Sequence, residues 1–171
     1  TSPEQFIARM ALEYKKYWNE ERKQKAKQLG LSQSEVSTLA SIVQSETAKI
    51  DEKPKVAGVY LNRLKKGMKL QADPTLIFAH NDFTIKRVLN IHKQIDSPYN
   101  TYKFTGLPPG PILIPEISSI DAVLNAEKHN FLYFCAKEDF SGYHNFSTNY
   151  LAHLKNAKLY QQALNKRKIY K

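Results

Sequence analysis

One carboxylate in this sequence sits where acids are uncommon. The run Leu39-Ala40-Ser41-Ile42-Val43-Gln44-Ser45-Glu46 reads as helix. At about 100° per residue, Glu46 falls about 20° from Leu39, about 40° from Ile42 and about 60° from Val43. It shares the apolar stripe, while Gln44, about 160° away, faces the opposite side. Burial disfavours the ionised carboxylate, and a place in the last helical turn adds the negative end of the helix dipole. Both effects raise the pKa. A carboxyl protonated near neutral pH can donate to the leaving oxygen of a glycosidic bond as oxocarbenium character develops. The competing reading is a helix-end Glu paired with Arg63 or Lys49, because structural ion pairs also perturb carboxyls.

The elements that must position Glu46 are mostly helical. Ser2, Pro3 and Glu4 start a first helix that runs through a Lys-rich pattern to Leu29-Gly30. This stretch, residues 1–30, is expected as a helical extension, with the catalytic domain over 31–171. Ser32 and Glu35 form a capping box for the helix that carries Glu46 and continues to about Lys49. Pro54 opens a third helix that stops at Gly67. Met68 and Leu70 alternate as a short strand, Asp73-Pro74 caps a short helix, and Ile85 to Leu89 reads as another. From Asp96 to Pro115, Pro, Gly, Tyr and Asn exclude regular structure, and so long a connection in a compact domain is usually functional. Ser118 and Asp121 resemble a second capping box, for a helix from Ile120 to Ala126. Phe131 to Ala136 and Tyr143 to Phe146 read as paired strands, and Asn149 to Lys168 as a final helix. The fold class is α+β, a mostly helical domain with a small antiparallel hairpin beside the cleft.

Composition narrows the function classes. A chain of 171 residues can bury a core without staples. The single cysteine, Cys135, excludes an internal disulfide framework and a cysteine-based zinc site. No run of about 18 apolar residues is present. The chain opens at Thr1, without an initiator Met, and is expected to be an excised or processed fragment. Lys and Arg exceed Asp and Glu by 26 − 16 = 10, which raises a polyanion-binding alternative. Much of that excess lies after Tyr150, on Lys155, Lys158, Lys166, Arg167, Lys168 and Lys171, and reads as a solvated helix face rather than a nucleic-acid surface.

Ala40 to Ala48 closely resembles the segment around the catalytic glutamate of the YceG-like endolytic murein transglycosylases, the MltG family. More of that pattern follows in order: Val59-Tyr60-Leu61-Asn62-Arg63-Leu64, Met68 to Thr75, Ser97-Pro98-Tyr99-Asn100-Thr101-Tyr102, Gly106 to Ile112, Leu132-Tyr133-Phe134, and His144 with Phe146. Several long matches in register are more specific than one short motif. Two positions depart from it, Gln44 in place of a second Glu and Glu116 in place of a Gly.

The resemblance implies cleavage of the β-1,4 bond between N-acetylmuramic acid and N-acetylglucosamine in nascent peptidoglycan, leaving 1,6-anhydro ends. Glu46 would act as acid and then base. No cofactor and no metal are called for. The implied setting is the outer face of the bacterial cytoplasmic membrane, reached through an N-terminal anchor outside this sequence, with glycan polymerases as partners and no nucleic acid. Gln71 and Asp73 are candidate sugar-binding residues, although Asp73 also reads as a helix cap. Tyr99, Asn100, Thr101 and Tyr102 could wall the cleft or form a packed loop. His144 could bond Glu46, bond substrate, or be structural. Arg63 is expected to steady carboxylates or loops, and Asn62 to cap or bridge. A non-catalytic glycan- or polyanion-binding module is the alternative from another class, and hydrolysis is the alternative chemistry.

Overall fold

A computed structural model describes residues 2–167. In chain order the helices are α1 (Pro3–Tyr17), α2 (Glu20–Leu29), α3 (Gln33–Glu46), α4 (Lys53–Lys65), α5 (Asp73–His80), α6 (Ile117–Leu124) and α7 (Tyr150–Lys166), with a 3-10 turn at His92–Gln94. Strands β1 (Tyr133–Ala136) and β2 (His144–Ser147) pair antiparallel, Phe134 opposite Phe146 and Ala136 opposite His144. The class is α+β, as the sequence implied.

The central element is α3. The capping box forms: Ser32 accepts from the Glu35 amide, and the Glu35 side chain accepts from the Ser32 amide. Every residue from Val36 to Val43 is buried, so the helix is enclosed rather than one-sided. Small hydroxyl residues make that enclosure tolerable. Ser37 and Thr38 return their hydroxyls to the carbonyls of Gln33 and Ser34, and Ser41 donates to Thr38 while accepting from the Ile112 amide. Val56, Ala57 and Tyr60 of α4 and Ile120, Val123 and Leu124 of α6 complete the core around it. The helix ends at Glu46, earlier than expected, because Thr47 turns extended with φ −143°.

Several local expectations are corrected. The first helix breaks at Trp18-Asn19: Trp18 is 2% exposed in the core, and Asn19 caps α2 by accepting from the Arg22 amide. Tyr17 and Arg22 both bond Asp121 of α6, so Asp121 is a docking partner and not half of a capping box. That helix begins at Ile117, with no side-chain cap. Met68 to Leu70 is irregular chain with a buried Leu70, not strand, and residues 85–89 are bent, irregular chain rather than helix. Lys168, the expected end of the last helix, and Lys171 lie outside the described residues. Among the described helices none is long and apolar enough to cross a membrane.

Candidate active site

The last residue of α3 projects into a cleft of about 290 Å³. Tyr60 and Arg63 of α4 line it, as do Leu70, Gln71, Asp73 and Tyr102 from the segments around α5. The hairpin contributes Phe134 to Ala136 and His144, and α7 contributes Tyr150 and His153. Glu46 itself accepts a 2.6 Å hydrogen bond from the Tyr60 hydroxyl. Desolvation pushes its pKa up to about 7, and the charge of Asp73 adds to the rise. The Tyr60 bond and the Arg63 charge oppose it without cancelling it.

Arg63 is not paired with Glu46. Its guanidinium donates to the carbonyls of Leu132, Lys69 and Leu70, pinning the segment before α5 and the start of the hairpin to α4. Lys49 lies over the Tyr143 ring, 4.8 Å from its centroid. The ion-pair reading of Glu46 therefore fails for both cations. Asn62 bridges as expected, donating to the carbonyls of His129 and Phe131.

Of the other sequence-predicted site residues, Gln71, Asp73, Tyr102 and His144 line the cleft with Glu46, whereas Tyr99, Asn100 and Thr101 do not. Gln71 holds a left-handed backbone, φ 51°, fixed by its amide bonding the Thr101 carbonyl. Asp73 makes no cap. It accepts from the Tyr102 hydroxyl instead, and the pair lines the open side of the cleft that holds Glu46. Tyr99 packs on Phe78 with centroids 4.7 Å apart. Thr101 is buried, its hydroxyl bonded to Thr75 and to the Ala72 amide. His144 bonds Glu52 rather than Glu46.

Sequence reasoning missed Tyr60, Glu52 and His153. Tyr60 continues the Val56-Val59-Arg63 face of α4, a spacing that could have exposed it. Glu52 sits on no apolar stripe that would mark it. His153 stacks on Tyr133 at 5.3 Å, and its Nδ1 is buried without a partner among the described residues. Gln44, predicted to face away, does so: its Oε1 accepts from the Glu116 amide and the Ser119 hydroxyl. The two departures from the family pattern thus meet each other, and Gln44 takes no carboxylate from the cleft. Among the described residues no group of His, Cys, Asp and Glu is arranged to hold a metal.

Such a cleft, with one recessed carboxyl whose pKa is raised to about 7 set among tyrosines, has the make-up of a general acid–base site. The YceG-like family model matches residues 1–159, and the chain belongs to that family. The match runs through the first 30 residues, where no motif had been visible. A Bacillus subtilis relative named endolytic murein transglycosylase is 42% identical over 142 residues, covering 81% of this chain and 38% of its own. A Streptococcus pneumoniae relative of the same name is 37% identical over 114 residues, covering 64% of this chain and 21% of its own. The chain therefore spans well under half the length of these relatives. The crystal structure of a YceG-like protein from Listeria monocytogenes superimposes with a TM-score of 0.78 at 34% identity, covering 91% of this chain and 50% of that one.

Proposed function

We propose that this domain is the catalytic part of an endolytic peptidoglycan lytic transglycosylase that cleaves the N-acetylmuramic acid–β-1,4–N-acetylglucosamine bond with Glu46. The observation carrying this reading is the Glu46 carboxyl, recessed in the cleft with a pKa of about 7 and one oxygen fixed by Tyr60. In its neutral form it gives a proton to the glycosidic oxygen as the C1–O bond breaks. As carboxylate it takes the proton of the C6 hydroxyl, whose oxygen bonds C1 and closes the 1,6-anhydro ring. Water is not consumed. In this reading Gln71, Asp73, Tyr102 and His144, which line the cleft, contact the sugars, whereas Asn100 holds Tyr102, Thr101 holds Gln71 and Tyr99 packs on Phe78. In the cell this reading puts the domain at the outer face of the cytoplasmic membrane, tethered by an N-terminal segment and working beside glycan polymerases.

Asp73 gives hydrolysis a specific footing, because a second carboxylate shares the cleft and ordinary glycoside hydrolysis uses two. Mass spectrometry of soluble products from purified peptidoglycan separates the readings, with Glu46→Gln as control. Anhydro-ended fragments from the parent alone support transglycosylation. Reducing ends that depend on Glu46 would replace it with hydrolysis, and glycan binding without products would leave a binding module.

A further inference from the structure

Glu52 lies outside the cleft lining and is nearly enclosed, with 5% of its side chain exposed. Three donors converge on its carboxylate. Thr47, the residue that ends α3 beside Glu46, donates its hydroxyl to Oε2 at 3.0 Å. The His144 amide donates to Oε1 at 2.8 Å, and the His144 ring places Nδ1 2.7 Å from Oε2. With Oε2 already accepting from Thr47 and Oε1 from the His144 amide, the geometry gives the donor role in the ring contact to Nδ1. The ring is held edge-on against Phe134, centroids 5.3 Å apart and planes at 89°. Its other nitrogen, Nε2, has no partner among the described residues and is not sealed off, and His144 lines the cleft that holds Glu46.

We propose that Glu52 is a positioning residue for the reaction. It locks His144 in the Nδ1–H form, so that Nε2 presents a hydrogen-bond acceptor to a hydroxyl or amide N–H of a glycan in the cleft. The inference rests on the glycan-cleaving reading of the same cleft. Through Thr47 the same carboxylate ties the end of the Glu46 helix to β2, so acid and acceptor are set by one anchor.

The donor pattern makes Glu52→Gln diagnostic. An amide nitrogen in place of Oε1 would face the His144 N–H, donor against donor. Placed at Oε2 it faces Thr47, whose hydroxyl can accept, and Nδ1, which must then accept as well. The ring proton moves to Nε2 and the cleft atom changes from acceptor to donor. The test combines ¹⁵N spectra of the His144 ring with turnover of purified peptidoglycan by wild type, Glu52→Gln, His144→Phe and the double variant.

The expected result is an Nδ1–H ring in the wild type and an Nε2–H ring in Glu52→Gln. Turnover should fall roughly 10–100-fold in Glu52→Gln, and by less than about twofold when the same change is made in the His144→Phe background, as for residues acting as a unit. Equal losses in the two backgrounds would overturn the proposal, since Glu52 would then act only on the fold. An Nε2–H ring in the wild type, alongside normal cleavage, would overturn it without any variant. Absence of cleavage by the wild type instead removes the glycan-cleaving reading, and the positioning role with it, whatever the ring spectrum.

Discussion

The Tyr60 hydroxyl meets Glu46 Oε1 at 2.6 Å, joining the last turn of α3 to the middle of α4 across 14 residues of sequence. The bond favours the charged carboxylate and so works against the desolvation that lifts the Glu46 pKa. In the proposed reaction, where Glu46 first gives a proton and then takes one, both influences help. The Tyr60 ring also packs edge-on against Phe134, centroids 5.8 Å apart, which fixes the hydroxyl.

Tyr60→Phe keeps that packing and deletes the donor. The Glu46 pKa should rise further, because what remains is mainly desolvation and the Asp73 charge. For a reaction needing neutral Glu46 in the free enzyme, kcat/KM is level below the pKa and declines tenfold per pH unit above it. The wild-type limb should therefore bend near pH 7 and the Tyr60→Phe limb at higher pH. The lost bond to the carboxylate should also lower kcat on the order of tenfold. A profile that bends at the same pH in both proteins would show that Tyr60 does not set the acid.

Glu46→Gln should lose about 10²–10⁴-fold in cleavage, the usual contribution of general acid–base catalysis, while gaining stability. The sign follows from linkage. A carboxyl whose folded pKa is raised from 4.5 to about 7 binds more protons folded than unfolded between those values. Stability then falls as pH rises through that window and levels off above it. The full rise corresponds to about 3 kcal/mol, and Gln, which can still accept from Tyr60 and carries no charge, should escape most of it. Urea unfolding at pH 5 and pH 8 checks this: the wild type should weaken at pH 8 relative to the variant. A variant less stable than wild type at pH 8 would mean that Glu46 is better solvated than its surroundings suggest.

What could be read from the sequence was what has a local period. The inward face of α3, its capping box and the hairpin strands follow from spacing alone, and Glu46 came with them. What could not be read depends on partners distant in sequence. Asp121 looks like a cap until Tyr17 and Arg22 arrive from α1 and α2, and Asp73 looks like a cap until Tyr102 claims it. Trp18 breaks an otherwise helical pattern because the core takes its ring. Glu52 has no apolar stripe to mark it, and only folding brings His144 to it.

Asn100 is fully buried, and all of its bonding is to backbone. Nδ2 donates to the carbonyls of Lys93 and Ile95, and Oδ1 accepts from the amides of Tyr102 and Lys103. Asn100→Asp turns the donor into an acceptor facing two carbonyls and should cost about 3 kcal/mol. At a temperature where the variant remains folded, KM for glycan should match the wild type. A raised KM in a protein of normal stability would instead put the Asn100 amide on the substrate.

Gly58 is in the interior of α4, where alanine normally stabilises a helix by about 1 kcal/mol. Here a Cβ would meet the Glu127 carbonyl oxygen at 2.5 Å and His129 Nε2 at 2.6 Å. Neither neighbour is free to move, because the Glu127 amide bonds the Pro54 carbonyl and His129 Nε2 pairs with the Lys55 carbonyl on the same helix. Overpacking of this kind costs about 1–3 kcal/mol, and two contacts against tethered groups place it at the upper end. Gly58→Ala should thus lower the urea midpoint at unchanged m-value, a net loss of about 1–2 kcal/mol once the helical gain is subtracted. Because Asn62 ties the same loop to Phe131, just before β1, cleavage should weaken as well. A midpoint equal to or above the wild type would show that the 127–129 segment yields freely, and that the hairpin wall of the cleft is held from elsewhere.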